Sequence, residues 1–315
     1  MIEVTGLTKL YGEHVAIQDI NFSVKDGEIV GFLGPNGAGK TTTMKILTCF
    51  MPATYGSARV DGFDIFESPM EVKRRIGYLP DTPPVYPELT VQSYLHFVAE
   101  IKEVRYRDRK ARVWQVMRDT RIDDVADRLI GHLSRGYQQR VGIAQALVHD
   151  PKVLILDEPT VGLDPNQIRE VRELIKELGK KRTIILSTHI LPEVSVTCER
   201  IIVINGGVIA AAGTEEQLSR QFGGAGTYRL GVKGDKAGLE EVLPKLAGVK
   251  SVEFQSTLDN VHSFELKTVE GKEIRQELFD VLAQKKWPIY ELKPPGVSLE
   301  DVFTRLTRGN QTEAA

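Results

Sequence analysis

Gly34-Pro35-Asn36-Gly37-Ala38-Gly39-Lys40-Thr41-Thr42 follows the apolar run Ile29-Val30-Gly31-Phe32-Leu33 and precedes a helical pattern through Met44, Ile46 and Leu47. Strand, glycine-rich loop and helix in that order turn G-x-x-x-x-G-K-[ST] from a string match into a phosphate site. Gly34, Gly37 and Gly39 open backbone angles closed to other residues, so successive N–H groups can face one concavity. The helix start adds unpaired N–H groups and the positive end of its dipole. Pro35, Asn36, Ala38 and Thr42 complete the loop, Lys40 supplies a full charge for the outer phosphates, and the Thr41 hydroxyl suits Mg²⁺. A nucleoside triphosphate is the ligand this stretch implies.

Working outward, residues 1 to 30 read as short strands and turns, and Tyr11 beside Gly12 is either a strand-edge aromatic or a base-stacking platform. Arg75-Ile76-Gly77-Tyr78-Leu79 is a buried-strand pattern ending at Pro80-Asp81, with Pro83-Pro84 excluding helix and central strand just after it. Asp81 is thus a candidate Mg²⁺ or water contact at a strand end, the alternative being a turn aspartate. From Leu89 to about Asp124 the spacing is helical, interrupted by the charged run Lys102–Lys110, which reads as a solvated connection. Ser134 is placed to cap the helix from Arg135, and such a capped start with bare N–H groups is also an anion site.

Val153-Leu154-Ile155-Leu156-Asp157-Glu158 has the form of a buried parallel strand with an acidic end. Asp157 suits Mg²⁺, and Glu158 suits the polarisation of a water attacking the terminal phosphate. Thr183–Ser187 repeats the pattern and ends in Thr188-His189, where His189 suits a hydrogen bond to a γ-phosphate. Gly223-Gly224-Ala225-Gly226 marks the expected domain boundary, dividing 1–222 from 223–315. Beyond it the order β-α-β-β-α-β is that of a small ferredoxin-like α+β domain, followed by a helix from Ser298 to Leu306. Its only histidine is His262 and it has no cysteine, so scaffolding, contact or regulation is expected of it rather than catalysis.

Composition sets the limits. The 315 residues suit one large and one small domain. The balance of 41 basic and 43 acidic residues offers no basic field for nucleic acid. Cys49 and Cys198 form no disulfide framework, the start Met1-Ile2-Glu3-Val4 lacks an export signal, and no apolar run approaches the ~20 residues that span a bilayer.

Taken together, the ordered motifs resemble those of ABC-type ATPases, the ATP-binding subunits of transporters, over about residues 1 to 222. The resemblance implies a P-loop α/β core with an antiparallel β subdomain and a helical subdomain. It casts Tyr11 as the adenine-stacking aromatic, Gly34 to Thr41 as Walker A, Leu133-Ser134-Arg135-Gly136-Tyr137 as the signature and Val153 to Glu158 as Walker B with the catalytic glutamate. Gly162-Leu163-Asp164 resembles the D-loop and His189 the switch histidine, with Lys40, Glu158 and His189 as the catalytic set. It also implies ATP and Mg²⁺, with Thr41, Asp81 and Asp157 toward the metal, and a homodimer (or paired ATPase subunit). Within that dimer Ser134 and Gly136 of one copy close over the ATP held by Lys40 of the other.

This sequence departs from the family twice. Asp81 stands where the family usually has Gln, and the signature, commonly Ser-Gly-Gly-Gln, reads Ser134-Arg135-Gly136-Tyr137. Arg135 either adds charge near the γ-phosphate or faces solvent. The stretch 79 to 91 and the tail Ser298-Leu299-Glu300-Asp301-Val302-Phe303 are similar to the ABC-2 class of exporters. That similarity implies an integral-membrane ABC-2-type permease as partner and a cytoplasmic subunit peripheral to the inner face of the cell membrane. Tyr86, Leu89 and Tyr94 are candidate permease contacts, the alternative being ordinary packing. Ribosome- or DNA-acting members of the family generally carry two cassettes or a long coiled coil; one Walker A and no long heptad run argue against them.

Overall fold

The computed structural model describes residues 2–222, 227–269, 272, 274–293 and 299–308. The expected Gly223–Gly226 joint, Gly271 and Ser298 lie outside them. The described chain divides into two compact units, one of residues up to Thr214 with those from Leu306 on, the other Glu215–Arg305. The boundary expected after residue 222 follows helix 215–222, whereas this division precedes it.

In the first unit the strands are β1 (Ile2–Tyr11), β2 (His14–Val24), β3 (Ile29–Leu33), β4 (Tyr55–Val60), β5 (Phe63–Asp64), β6 (Ile76–Leu79), β7 (Val153–Asp157), β8 (Thr183–Thr188), β9 (Arg200–Asn205) and β10 (Val208–Gly213). Between them run helices α1 (Lys40–Leu47), α2 (Pro69–Arg75), α3 (Val91–Ile101), α4 (Tyr106–Asp119), α5 (Arg135–Leu147), α6 (Pro165–Gly179) and α7 (Leu191–Thr197). One sheet has the order β2-β1-β4-β5 and is antiparallel, and the other has the order β10-β9-β3-β8-β7-β6. In the second sheet β9, β3, β8, β7 and β6 run parallel, while β10 returns antiparallel through Gly206-Gly207.

The continuous apolar run of β7 follows from burial on both faces of this sheet. Leu154 and Leu156 join a core that includes α3, α4, α5 and α6, whereas Val153 and Ile155 join a core with α1 and the antiparallel sheet. A strand alternates its side chains between faces, so one strand supplies two residues to each core. The helical stretch expected from Leu89 to Asp124 is two helices. It breaks at 102–105, within the charged run, and Glu103 there takes φ 59°.

The second unit contains α8 (Glu215–Phe222), β11 (Thr227–Lys233), α9 (Lys236–Val242), β12 (Val249–Leu258), β13 (Val261–Thr268), α10 (Arg275–Gln284), β14 (Ile289–Lys293) and the part of α11 (Leu299–Arg308) up to Arg305. Its sheet order β12-β13-β11-β14 is antiparallel throughout. That order is what the split β-α-β-β-α-β arrangement requires. Its core is built on Tyr228, Leu230, Phe264, Leu266, Leu278 and Leu282.

Candidate functional site

Parallel register gathers the site. Leu33 pairs with Thr188 and Asp157 with Ser187, so the carboxyl ends of β3, β7 and β8 finish side by side. Ligands bind at such ends in open parallel sheets.

The loop after β3 enters α1 at Gly39, whose φ of 104° lies in the left-handed region and which carries no side-chain cap. The first N–H groups of α1 therefore have no side chain competing for them. At Gly34 a Cβ would stand 2.4 Å from the Ile204 carbonyl oxygen, so the close approach of β9 admits only glycine. Lys40 is 5% exposed. Its Nζ donates to the carbonyls of Gly34 (2.8 Å) and Pro35 (3.1 Å) and lies 3.2 Å from Glu158 Oε1.

Glu158 takes φ 50°, uncommon for a non-glycine residue and the kind of backbone strain that collects at functional sites. Its N–H donates to the Ser187 carbonyl and Oγ, both at 3.1 Å. His189 Nδ1 lies 2.9 Å from the second carboxylate oxygen, so Glu158 bridges lysine and histidine. Asp157 is fully buried; Oδ1 accepts from the Ser187 hydroxyl, and Oδ2 has no hydrogen-bond partner.

A cavity of about 510 Å³ brings Lys40, Glu158 and His189 together, lined also by Tyr11, Asn36, Gly37, Gly39, Thr41, Thr42 and Asp81. Gly34, Pro35, Ala38 and Asp157 do not line it, and Asp157 lines a second cavity of about 590 Å³ with Thr41 and Asp81. Tyr11 is 47% exposed, with its hydroxyl 3.0 Å from Met51 Sδ and Lys9 Nζ 5.4 Å from its ring centre. His14, Ala16 and Val161 also line the first cavity and were not foreseen. His14 pairs with Tyr11 across the first hairpin, so a register assigned to β1 and β2 from their alternation was the signal for it.

Ser134, Gly136 and Asp164 do not line this cavity. Ser134 caps α5, accepting from the Tyr137 N–H at 3.5 Å. Gly136 is buried, and a Cβ there would stand 2.6 Å from the Gln167 side chain. Asp164 caps α6, accepting from the N–H groups of Asn166 and Gln167, and Gln167 returns a bond to its backbone. Arg135 is exposed with its guanidinium laid over Gly162, so the start of α5 rests on the turn ahead of α6 in its own chain. Tyr94 is a correction: expected as a surface contact, it is 2% exposed with its hydroxyl donating to the Pro84 carbonyl, while Tyr86 beside it is 45% exposed.

The residues fit a divalent cation. The partnerless buried Asp157 Oδ2, the Thr41 hydroxyl and the nearby Asp81 carboxylate form a hard-oxygen set. No group of three His, Cys, Asp or Glu gathers among the described residues, so phosphate and water oxygens must complete such a shell. Burial pushes the Asp157 carboxyl up from its usual 3.8, the Ser187 and Thr41 hydroxyls pull it back, and Glu158 and Asp81 add to the rise. Since the unfolded carboxyl then ionises first, stability contributed by this group is lost as pH rises from 3.8 through the folded value. Asp157→Asn keeps an acceptor for the hydroxyls and removes the charge. At pH 7, free of metal and nucleotide, it is expected to melt at a higher temperature than the wild type, because the desolvated charge is gone. Thermal melts check this, and an unchanged or lower midpoint contradicts it.

Several known proteins are similar to this chain. The ABC transporter family model matches residues 17–161. The chain is 34% identical over 268 residues to the linearmycin resistance ATP-binding protein LnrL of Bacillus subtilis, covering 85% of this chain and 84% of that one. It is 40% identical over 209 residues to the bacitracin transport ATP-binding protein BcrA of Bacillus licheniformis, covering 66% of this chain and 67% of that one. A solved dimer of the ATP-binding cassette MJ0796, in a post-hydrolysis state bound to ADP and Pi, aligns at TM-score 0.63 and 27% identity. That alignment covers 68% of this chain and 98% of MJ0796.

Proposed function

We propose, since this chain belongs to the ABC transporter family, that it is the ATP-binding and ATP-hydrolysing subunit of an ABC-2-type exporter, dimerising around two ATP molecules to power a separate permease. The observation that carries this is the single cavity lined at once by Tyr11, the glycine-rich loop, Lys40, Glu158 and His189.

In this proposal Tyr11 stacks on the adenine, and the loop N–H groups with Lys40 hold the outer phosphates. Thr41 and Asp157, with Asp81, would hold Mg²⁺, which would neutralise charge on the phosphate oxygens. Glu158 accepts the proton of the attacking water. A carboxylate whose oxygens face Lys40 and His189 is oriented before the water arrives. His189 donates toward the γ-phosphate from the neighbouring strand end.

Homodimerisation is supported by what the cavity lacks. Ser134, Gly136 and Asp164 start helices away from the triphosphate site of their own chain, so they reach ATP only across an interface with a second copy. MJ0796, named as a dimer, supports the same arrangement. LnrL and BcrA, named for resistance to and transport of antibiotics, support a membrane partner of exporter type. Among the described residues no helix is long and apolar enough to cross a membrane, so attachment to the inner face of the membrane runs through the permease. Exposed Tyr86 and half-buried Leu89 are its proposed contacts.

Hydrolysis per molecule is expected to fall by at least about tenfold when the chain is diluted well below its dimerisation constant, because closure becomes bimolecular. Phosphate release across a concentration series, read beside light scattering, checks this. A constant rate per molecule in purely monomeric samples removes the shared-site proposal.

A further inference from the structure

Glu193 is a carboxylate that the mechanism leaves unused, yet it is 1% exposed and both of its oxygens are engaged. Oε1 accepts from the Thr160 hydroxyl and Oε2 from the Thr188 hydroxyl, the latter at 2.7 Å. Thr160 is 3% exposed and Thr188 fully buried. The Thr188 hydroxyl in turn accepts from the Ile190 N–H at 3.0 Å, which leaves its own proton for the carboxylate.

The chain positions of these two threonines matter. Thr160 is two residues beyond Glu158, and Thr188 immediately precedes His189. One buried carboxylate thus ties together the segments that bring Glu158 and His189 to 2.9 Å. Glu193 sits in the first turn of α7. That helix is itself seated hard on β3, where a Cβ on Gly31 would come within 1.8 Å of Val194 Cγ1. The tie is therefore anchored to the strand that carries the phosphate loop.

We propose that Glu193 is a positioning residue for the hydrolytic pair, holding the Glu158 and His189 segments in register through Thr160 and Thr188. It does not line the nucleotide cavity. Both oxygens already accept hydrogen bonds, so it acts through its neighbours and not on the reacting atoms. Glu158, at positive φ, has a backbone geometry its sequence does not favour, and a clamp two residues away helps to maintain it. Misplacement of a water-polarising group by about 1 Å can cost on the order of a hundredfold in rate.

This rests on the proposed ATPase function. The test combines steady-state phosphate release with fluorescent-ATP titration of the full chain, at temperatures well below each variant's melting point. Glu193→Ala is expected to lower kcat by about 10- to 100-fold while nucleotide Kd stays within about twofold. Glu193→Gln, which keeps shape and can re-pair with rotatable hydroxyls, is expected to restore most of the rate. Thr160→Val and Thr188→Val, each cutting one arm, are expected to lower kcat with the same unchanged Kd, and they decide the matter if Glu193→Ala does not fold. Wild-type kcat in folded Glu193→Ala overturns the inference, as does a Kd that worsens in step with kcat. If the wild type hydrolyses ATP and Glu158→Gln does not, such a failure belongs to the clamp alone; a wild type with no hydrolysis overturns the underlying function as well.

Discussion

Glu158→Gln is expected to bind ATP with an affinity close to that of the wild type and to lose turnover by about 100- to 10,000-fold, the contribution typical of a general base. The amide has nearly the size and hydrogen-bonding reach of the carboxylate. Its oxygen can still accept from Lys40 or His189, which now lie 3.2 Å and 2.9 Å from Glu158 oxygens. What it cannot do is take a proton from water. Binding and closure should therefore survive while cleavage stops, and the variant should accumulate as an ATP-bound dimer. Size-exclusion chromatography in ATP reads the dimer, and single-turnover phosphate release reads the chemistry. Near-normal turnover would mean that another group activates the water.

Lys40→Ala is expected to fail one step earlier, with nucleotide affinity reduced by at least about 100-fold, equivalent to ~2.8 kcal/mol. The ammonium is 5% exposed and supplies the one full positive charge of the glycine-rich loop. Alanine also removes the donor to the Gly34 and Pro35 carbonyls and the cation facing Glu158. An uncompensated carboxylate then faces an incoming anion, so repulsion adds to the lost attraction. Fluorescent-nucleotide titration measures the affinity, and a circular dichroism melt verifies that the variant is folded. Unchanged affinity would place the triphosphate elsewhere. The two substitutions thus separate binding from cleavage on side chains that touch one another.

Motifs made of consecutive residues are legible in the amino-acid order itself. Gly37 to Thr42 shape their own loop, because the left-handed φ of Gly37 and Gly39 and a helix start are local properties, whereas Gly34 is required by the approach of β9. The apolar runs of β7 and β8 announce buried parallel strands, and their polar ends, Asp157-Glu158 and Thr188-His189, announce a sheet-edge site. The second unit's βαββαβ order is legible for the same reason: strand and helix periods are written within a dozen residues.

Groups that meet across strands are not legible in this way. Ser187 reads as the plain last residue of an apolar run, and nothing adjacent to it indicates that its hydroxyl serves Asp157. Glu193 lies in a short helix that shows no pattern of its own. Tyr94 carries the same helical spacing whether it faces solvent or the Pro84 carbonyl. The start of the second unit ahead of α8 likewise depends on which residues that helix lies beside, and an amphipathic pattern does not say.

The order of residues alone determined that this protein has a triphosphate loop, an acidic strand end and a histidine strand end, since each is a short-range consequence of backbone preference and hydrophobic period. Tertiary structure decided that Lys40, Glu158 and His189 form one touching cluster, that Asp157 Oδ2 is left without a partner, and that Ser134, Gly136 and Asp164 stand outside the cavity. The reason is physical: parallel strands separated by long crossovers fix their mutual register through packing of both sheet faces, and a shift of one residue would turn every one of these side chains to the opposite side.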